Sequence, residues 1–239
     1  MARNPDRETV FRFKQFEVRN ALSAMKVGTD GVLLGAWFDM PREASVLDVG
    51  AGCGLIGLMA AQRGASRVVE VELDGEAAAE ATYNVEASPW SDCVSVVHID
   101  FLAYHPAMKF DRIVSNPPFF TEAVLSPDMA RAAARHESSL PLEALLVKAS
   151  SMMTDNGRLA LIVPMSRFDD LIYAASLARL QPVRICRVTT GGKGNKPPTR
   201  LLAEFGFEVC RVESTSLSMQ SDAYRRLTGE FYLDRMTNK

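Results

Sequence analysis

Histidine is scarce in this chain, at three residues in 239, and the four cysteines are scattered without a C-x-x-C pair. His98, His105 and His136 lack ligand spacing, so no metal is expected, and Cys53, Cys93, Cys186 and Cys210 imply no disulfide framework. No apolar run approaches the ~20 residues that a membrane-spanning helix needs. The opening MARNPDRETVFRFK is charged throughout, which argues against a secretory segment, and a cytoplasmic protein without a membrane partner is expected. A strong net charge is missing too: 27 Lys and Arg against 29 Asp and Glu leave −2. Any polyanionic partner must therefore meet a local basic patch. Repeats and low-complexity segments are absent.

What is present is alternation. From residue 45, short β-branched runs (SVLDVG, SRVVEVELD, CVSVVHID, FDRIVSNPPFF) alternate with longer amphipathic ones (LIGLMAAQRG, GEAAAEATYNVEAS). That is the βαβ pattern of a parallel sheet with helices on both faces. LEALLVKASSMMTDNG then reads as a helix closed by a glycine, RLALIVP as a strand and SRFDDLIYAASLARL as a helix. VRICRVTT and RLLAEFGFEV, joined by GGKGNKPPT, read as two strands without an intervening helix, an antiparallel hairpin at one edge. The expectation is an α/β fold, a doubly wound, mostly parallel, seven-stranded Rossmann-like sheet with a C-terminal antiparallel hairpin. Residues 45–239 form the domain in this reading, and 1–44 are an N-terminal extension packing on it. Within the extension FRFKQFEV alternates like one half-exposed strand, and GTDGVLLGAWF reads as a turn entering a helix.

In open α/β sheets ligands bind beyond the carboxyl ends of the strands, where strand order reverses. The first such turn is Asp48-Val49-Gly50-Ala51-Gly52-Cys53-Gly54, whose glycines let a ligand approach the backbone. Gly52, Gly54 and Gly57 also satisfy G-x-G-x-x-G, with Glu72 about 20 residues on, so spacing alone allows a nicotinamide enzyme. Asp48 tips the balance. Its carboxylate repels a pyrophosphate and welcomes a cationic amino-acid moiety, which favours S-adenosyl-L-methionine. Glu72 can accept both ribose hydroxyls. Asp100 is placed to accept from the adenine amine, and Phe101 to offer a backbone amide.

A fourth strand ends on Asn116-Pro117-Pro118-Phe119. The lone pair of an aromatic amine is conjugated into its ring, and hydrogen-bond acceptors on the two N–H groups help to turn it outward. The Asn116 side-chain oxygen and the Pro117 carbonyl are two such acceptors, held by a backbone whose φ proline fixes. Phe119 offers a face on which a base stacks. The tetrad therefore points to methylation of an NH₂ on a planar system.

VLDVGAGCGLIGL, VEVELD and SNPPFF resemble the motifs of the S-adenosylmethionine-dependent N-methyltransferases that modify amino groups of bases. More narrowly, the succession KVGTDGVLLGAW, VELDGEAAAEATYN, SPW, SNPPFF, ARHESSLPLEALL and SDAYRRLTGEFYLDRM resembles the bacterial tRNA1(Val) adenine-37 N6-methyltransferase family, over nearly the whole chain. The resemblance implies methyl transfer to N6 of the adenosine beside the valine anticodon of a tRNA. It assigns Asn116, Pro117, Pro118 and Phe119 to the target base and Gly50, Gly52, Gly54, Glu72 and Asp100 to the cofactor. Asp30, in GTDG, is carried over as a residue whose segment lies against the cofactor, and a helix N-cap is its other reading. Phe119 stands where adenine enzymes often carry tyrosine. Enzymes acting on rRNA guanine N2, DNA adenine or a protein glutamine use related tetrads and stay open as alternatives.

Phosphates call for a cationic cluster. No acid occurs from Val188 to Ala203, which makes Lys193, Lys196 and Arg200, with Arg184 and Arg187, candidate RNA contacts. Arg131 and Arg135, beside His136 after the tetrad, form a second candidate patch.

Overall fold

The computed structural model describes residues 10–23, 26–118, 140–191 and 196–233. The chain opens with a short antiparallel pair, β1 (Val10–Arg12) and β2 (Glu17–Arg19), followed by α1 (Thr29–Trp37). The expected alternation comes next as β3 (Ser45–Val49), α2 (Leu55–Gln62), β4 (Arg67–Glu72), α3 (Gly75–Glu86), β5 (Val94–His98) and β6 (Phe110–Ser115). Then come α4 (Leu142–Met152), β7 (Met153–Pro164), α5 (Phe168–Leu177), β8 (Gln181–Thr189), β9 (Arg200–Gly206), β10 (Glu213–Ser218) and α6 (Asp222–Thr228).

The main sheet runs β10-β8-β9-β7-β6-β3-β4-β5. Strands β5, β4, β3, β6 and β7 pair in parallel, and β9 is antiparallel to both β7 and β8. Strand order reverses between β3 and β6, so a crevice opens beyond their carboxyl ends. The pleat sends alternate side chains to opposite layers. Val46, Val68, Ala160 and Leu202 join the core under α1 and α2, whereas Leu47, Val69, Leu159 and Leu201 join the core under α4 and α5.

Three expectations need correction. Among the described residues the main sheet has eight strands rather than seven, because ESTSLS forms β10 in parallel with β8. Its Ser and Thr side chains carry no apolar alternation, and it is exposed almost throughout, so the β8–β9 hairpin does not form the sheet's edge. FRFKQFEV is a hairpin rather than one strand. The Phe13 amide donates to the Phe16 carbonyl at 2.8 Å, and the two rings stack 4.7 Å apart in the core. Finally, α4 ends at Met152, and MTDNG belongs to β7. Gly157 does not close a helix: it sits where β7 bulges against β6, between the pairs Phe110 with Met153 and Arg112 with Arg158. A Cβ there would lie 2.8 Å from the Thr154 carbonyl oxygen.

Candidate active site

The glycine turn sits between β3 and α2, and Gly50, Gly52 and Gly54 all have positive φ, at 71°, 58° and 81°. At Gly50 a Cβ would meet nothing within 4 Å among the described residues, so glycine is needed there for its backbone angle. The Gly50 amide donates to the Val71 carbonyl at 2.9 Å and the Gly54 amide to the Ala51 carbonyl at 3.0 Å, which pins the turn to β4 and to itself.

Glu72, the last residue of β4, holds the turn as well. Its Oε2 accepts from the Gly52 amide at 2.7 Å and its Oε1 from the Asp74 amide at 2.8 Å. Each carboxylate oxygen offers more than one lone pair, so acceptor capacity remains for hydroxyl groups. Asp100 is placed similarly one strand along. Its Oδ1 accepts from the Leu102 amide at 2.8 Å and caps the short turn Phe101–Ala103, while the Phe101 ring fills the core. The Ile99 amide, 3.0 Å from the Glu72 carbonyl, joins these two strand ends.

Asp48 lies below the turn and is fully buried. Its Oδ2 accepts from the Gly57 amide at 3.2 Å, and its Oδ1 has no hydrogen-bond partner among the described residues. Burial raises its carboxyl from the ordinary 3.8 to about 7, opposed by the Gly57 amide and reinforced by the nearby Glu72 charge. Beside it in register on β4 stands Glu70, also fully buried, with neither oxygen hydrogen-bonded among the described residues. Burial, then Asp48, pushes Glu70 well above the ordinary glutamate range and favours its protonated form.

Sequence reasoning missed Glu70. The signal was the third glycine of the G-x-G-x-x-G spacing, inside α2: a Cβ on Gly57 would lie 2.0 Å from Glu70 Oε1, and one on Gly54 would lie 2.7 Å from its Oε2. Gly57 makes room for a buried acid, so the G-x-G-x-x-G spacing carries no evidence for a dinucleotide here. Cys53, inside the turn, is no nucleophile. Burial, then Glu80 and Glu70, push its thiol up to about 12. The left-handed glycines, with Glu72 and Asp100 at the neighbouring strand ends, make a cradle that offers carboxylate acceptors to a nucleoside and disfavours a pyrophosphate.

At the neighbouring strand end Val49 of β3 pairs with Ser115 of β6, and the Ser115 hydroxyl donates to the Val49 carbonyl at 2.8 Å. Asn116 and Pro117 follow directly, one strand away from Gly50. Asn116 is half-buried, Pro117 buried and Pro118 exposed. Phe119, Arg131, Arg135 and Lys193 lie outside the described residues.

The structure rearranges the reading of the remaining charges. The N-cap of α1 is Gly28, so Asp30 is not a cap. Its Oδ2 pairs with Arg200 Nε at 2.7 Å, and a phosphate would have to compete for that guanidinium. Lys196 is exposed, and Arg200 opens β9 opposite Pro164, at the same end of the sheet as Asn116 and Pro117. Arg184 does not belong to that patch. It pairs with the buried Glu204 at 3.2 Å and stacks 4.2 Å from the Trp37 ring centre. Arg187 is held by the Ser214 hydroxyl at 2.8 Å. Among the described residues no helix is long and apolar enough to cross a membrane.

The family model described as methyltransferase small domain matches residues 17–167. The chain is 43% identical over 232 residues to a tRNA1(Val) (adenine(37)-N6)-methyltransferase of Bacteroides fragilis, covering 93% of this chain and 97% of the relative. It is 38% identical to the protein so named in Vibrio parahaemolyticus, covering 93% and 95%. Among solved structures it resembles a predicted O-methyltransferase from Agrobacterium tumefaciens, with TM-score 0.64, 20% identity and coverage of 84% and 96%. A glycopeptide N-methyltransferase solved with S-adenosyl-L-methionine matches with TM-score 0.58, 13% identity and coverage of 78% and 91%. These two likenesses concern the fold.

Proposed function

The chain belongs to the methyltransferase small domain family and, within it, to the tRNA1(Val) (adenine(37)-N6)-methyltransferases; from that premise we propose how its own residues divide the reaction. The enzyme is an S-adenosyl-L-methionine-dependent methyltransferase acting on tRNA, and its target is N6 of adenosine-37. The observation that carries this reading is the adjacency of the glycine turn and Asn116-Pro117 on neighbouring parallel strands, tied by the 2.8 Å bond from Ser115 to Val49.

S-adenosyl-L-methionine, when bound, supplies the electrophilic methyl group. Gly50, Gly52 and Gly54 shape its seat, Glu72 accepts from the ribose, Asp100 and the Phe101 amide meet the adenine, and Asp48 faces the cationic end electrostatically. Asp30 contributes by fixing the start of α1 through Arg200. Asn116 and the Pro117 carbonyl each accept one N–H of the target amine, which orients its lone pair for displacement. Pro118 stiffens the acceptor loop, and Phe119 is the stacking face. An anticodon-loop base is already unpaired, so placing it here costs less than extracting one from a duplex. Lys196, with Lys193, Arg131 and Arg135, provides the phosphate contacts, and Arg200 joins them only by giving up part of its pairing with Asp30.

Incubation with labelled cofactor and total tRNA from a strain lacking the enzyme, followed by nucleoside analysis, tests this. N6-methyladenosine is expected. A different methylated nucleoside overturns the base assignment, and label in protein or DNA alone overturns the substrate class. Asn116→Ala is expected to cut transfer by roughly 100-fold or more, as loss of one preorganised polar partner does elsewhere, while cofactor affinity stays unchanged. Wild-type turnover in that variant removes the amide from the mechanism.

A further inference from the structure

Glu80 is a glutamate 5% exposed on α3, and its hydrogen bonds are to backbone alone. Its Oε1 accepts from the amides of Ala21 at 2.5 Å and Leu22 at 3.0 Å, and its Oε2 from the amide of Ser23 at 2.9 Å. Three consecutive N–H groups thus converge on one carboxylate, a charge-assisted nest. One helical turn on, Asn84 is 1% exposed and extends the grip. Its Oδ1 accepts from the Arg19 amide at 2.8 Å, and its Nδ2 donates to both the Arg19 carbonyl and the Cys53 carbonyl, each at 2.8 Å.

The same stretch is held from its carbonyl side. Lys26 Nζ donates to the carbonyls of Asn20 at 2.6 Å and Ala21 at 2.8 Å. A short surface segment is therefore fixed by a buried anion on its N–H side and a cation on its C=O side. Its end lies against the glycine turn. Ser23 is 1% exposed, and a Cβ on Gly52 would lie 3.8 Å from its hydroxyl oxygen. Through Asn84 the segment also shares a side chain with Cys53 of that turn.

We propose that Arg19–Ser23 form a wall of the cofactor site and that Glu80 and Asn84, which do not touch the ligand, are its positioning residues. This rests on the reading that the glycine turn binds S-adenosyl-L-methionine. Two buried polar side chains are thus given over to a segment whose Ala21 and Leu22 are exposed and fill no core, a grip that suits one face of a ligand seat held to the tolerance that transfer requires.

Two measurements test the assignment. In the full-length wild type, amide hydrogen exchange at Ala21, Leu22 and Ser23 is expected to slow roughly tenfold or more when S-adenosylhomocysteine, used as the unreactive probe, is added. Exchange indifferent to the probe overturns the proposal even where the probe binds. In Glu80→Gln the amide keeps at most one acceptor oxygen and turns an N–H donor toward an N–H donor. The Kd and KM for the cofactor are expected to rise on the order of tenfold, the scale of one lost hydrogen bond to a charged group, with kcat at saturating cofactor within about threefold. A merely structural tie predicts a lower melting temperature with Kd unchanged in the folded variant, and that result refutes the proposal. If the variant does not fold, the wild-type exchange experiment decides alone. Failure of the wild type to bind either cofactor form overturns the cofactor reading instead.

Discussion

Asp48→Asn asks whether the fold carries an electrostatic cost under the glycine turn. Folding moves the Asp48 carboxyl from 3.8 to about 7, chiefly by burial. A proton held more tightly in the native state contributes its full stability below 3.8, and that contribution is lost as pH rises through about 7. Above this window the ionised, buried group costs about 4 kcal/mol, at ~1.4 kcal/mol per tenfold change in proton affinity. Asparagine keeps the shape and the acceptor for the Gly57 amide but never ionises. Its NH₂ replaces the orphaned Oδ1, and an unsatisfied buried donor costs about 1 to 3 kcal/mol. The variant is therefore expected to be more stable than the parent by about 1 to 3 kcal/mol near pH ~8 and to lose that advantage by about pH 5. Urea denaturation of both proteins at several pH values measures this, and a difference that does not vary with pH refutes the reasoning. On the proposed role of Asp48 the stabilised protein is expected to bind S-adenosyl-L-methionine less tightly at the higher pH, because an anion that would face the cation has gone.

Gly57→Ala places a methyl 2.0 Å from Glu70 Oε1, and a loss of about 1 to 3 kcal/mol is expected; adding Glu70→Ala should return part of it, and strict additivity in the double-mutant cycle argues against the contact. Lys196→Ala should weaken tRNA binding uniformly across sequences and flatten the dependence of log K on log salt by about 0.7 to 0.9, with cofactor affinity unchanged; an unaltered slope removes this lysine from the interface.

Most of the architecture was legible because burial on both faces of a parallel sheet forces β-branched runs such as SVLDV and RVVEVE, and because left-handed turns select glycine. Asp48, Glu72 and Asp100 could be located for the same reason, since each lies at or beside the point where a β-branched run gives way to a turn. What stayed hidden was pairing across long separations. Glu70 looks like one more alternating polar residue in VVEVE, and only the space around Gly57 reveals that it is buried. Asp30 and Arg200 are 170 residues apart and meet as an ion pair, so neither could be recognised in the sequence as occupied. Strand β10 escaped for a different reason: an exposed edge has no apolar face to leave a period.

The bond from the Ser115 hydroxyl to the Val49 carbonyl ties the strand leading into the glycine turn to the strand leading into Asn116 and Pro117. Two loops that fluctuate independently add their positional variances, and each ångström of relative drift takes the reacting atoms out of attack range. In the proposed site, adjacent strands joined by this bond carry Gly50 and Asn116 together, so the spacing between cofactor seat and amine acceptor is set by the sheet before the RNA delivers its base.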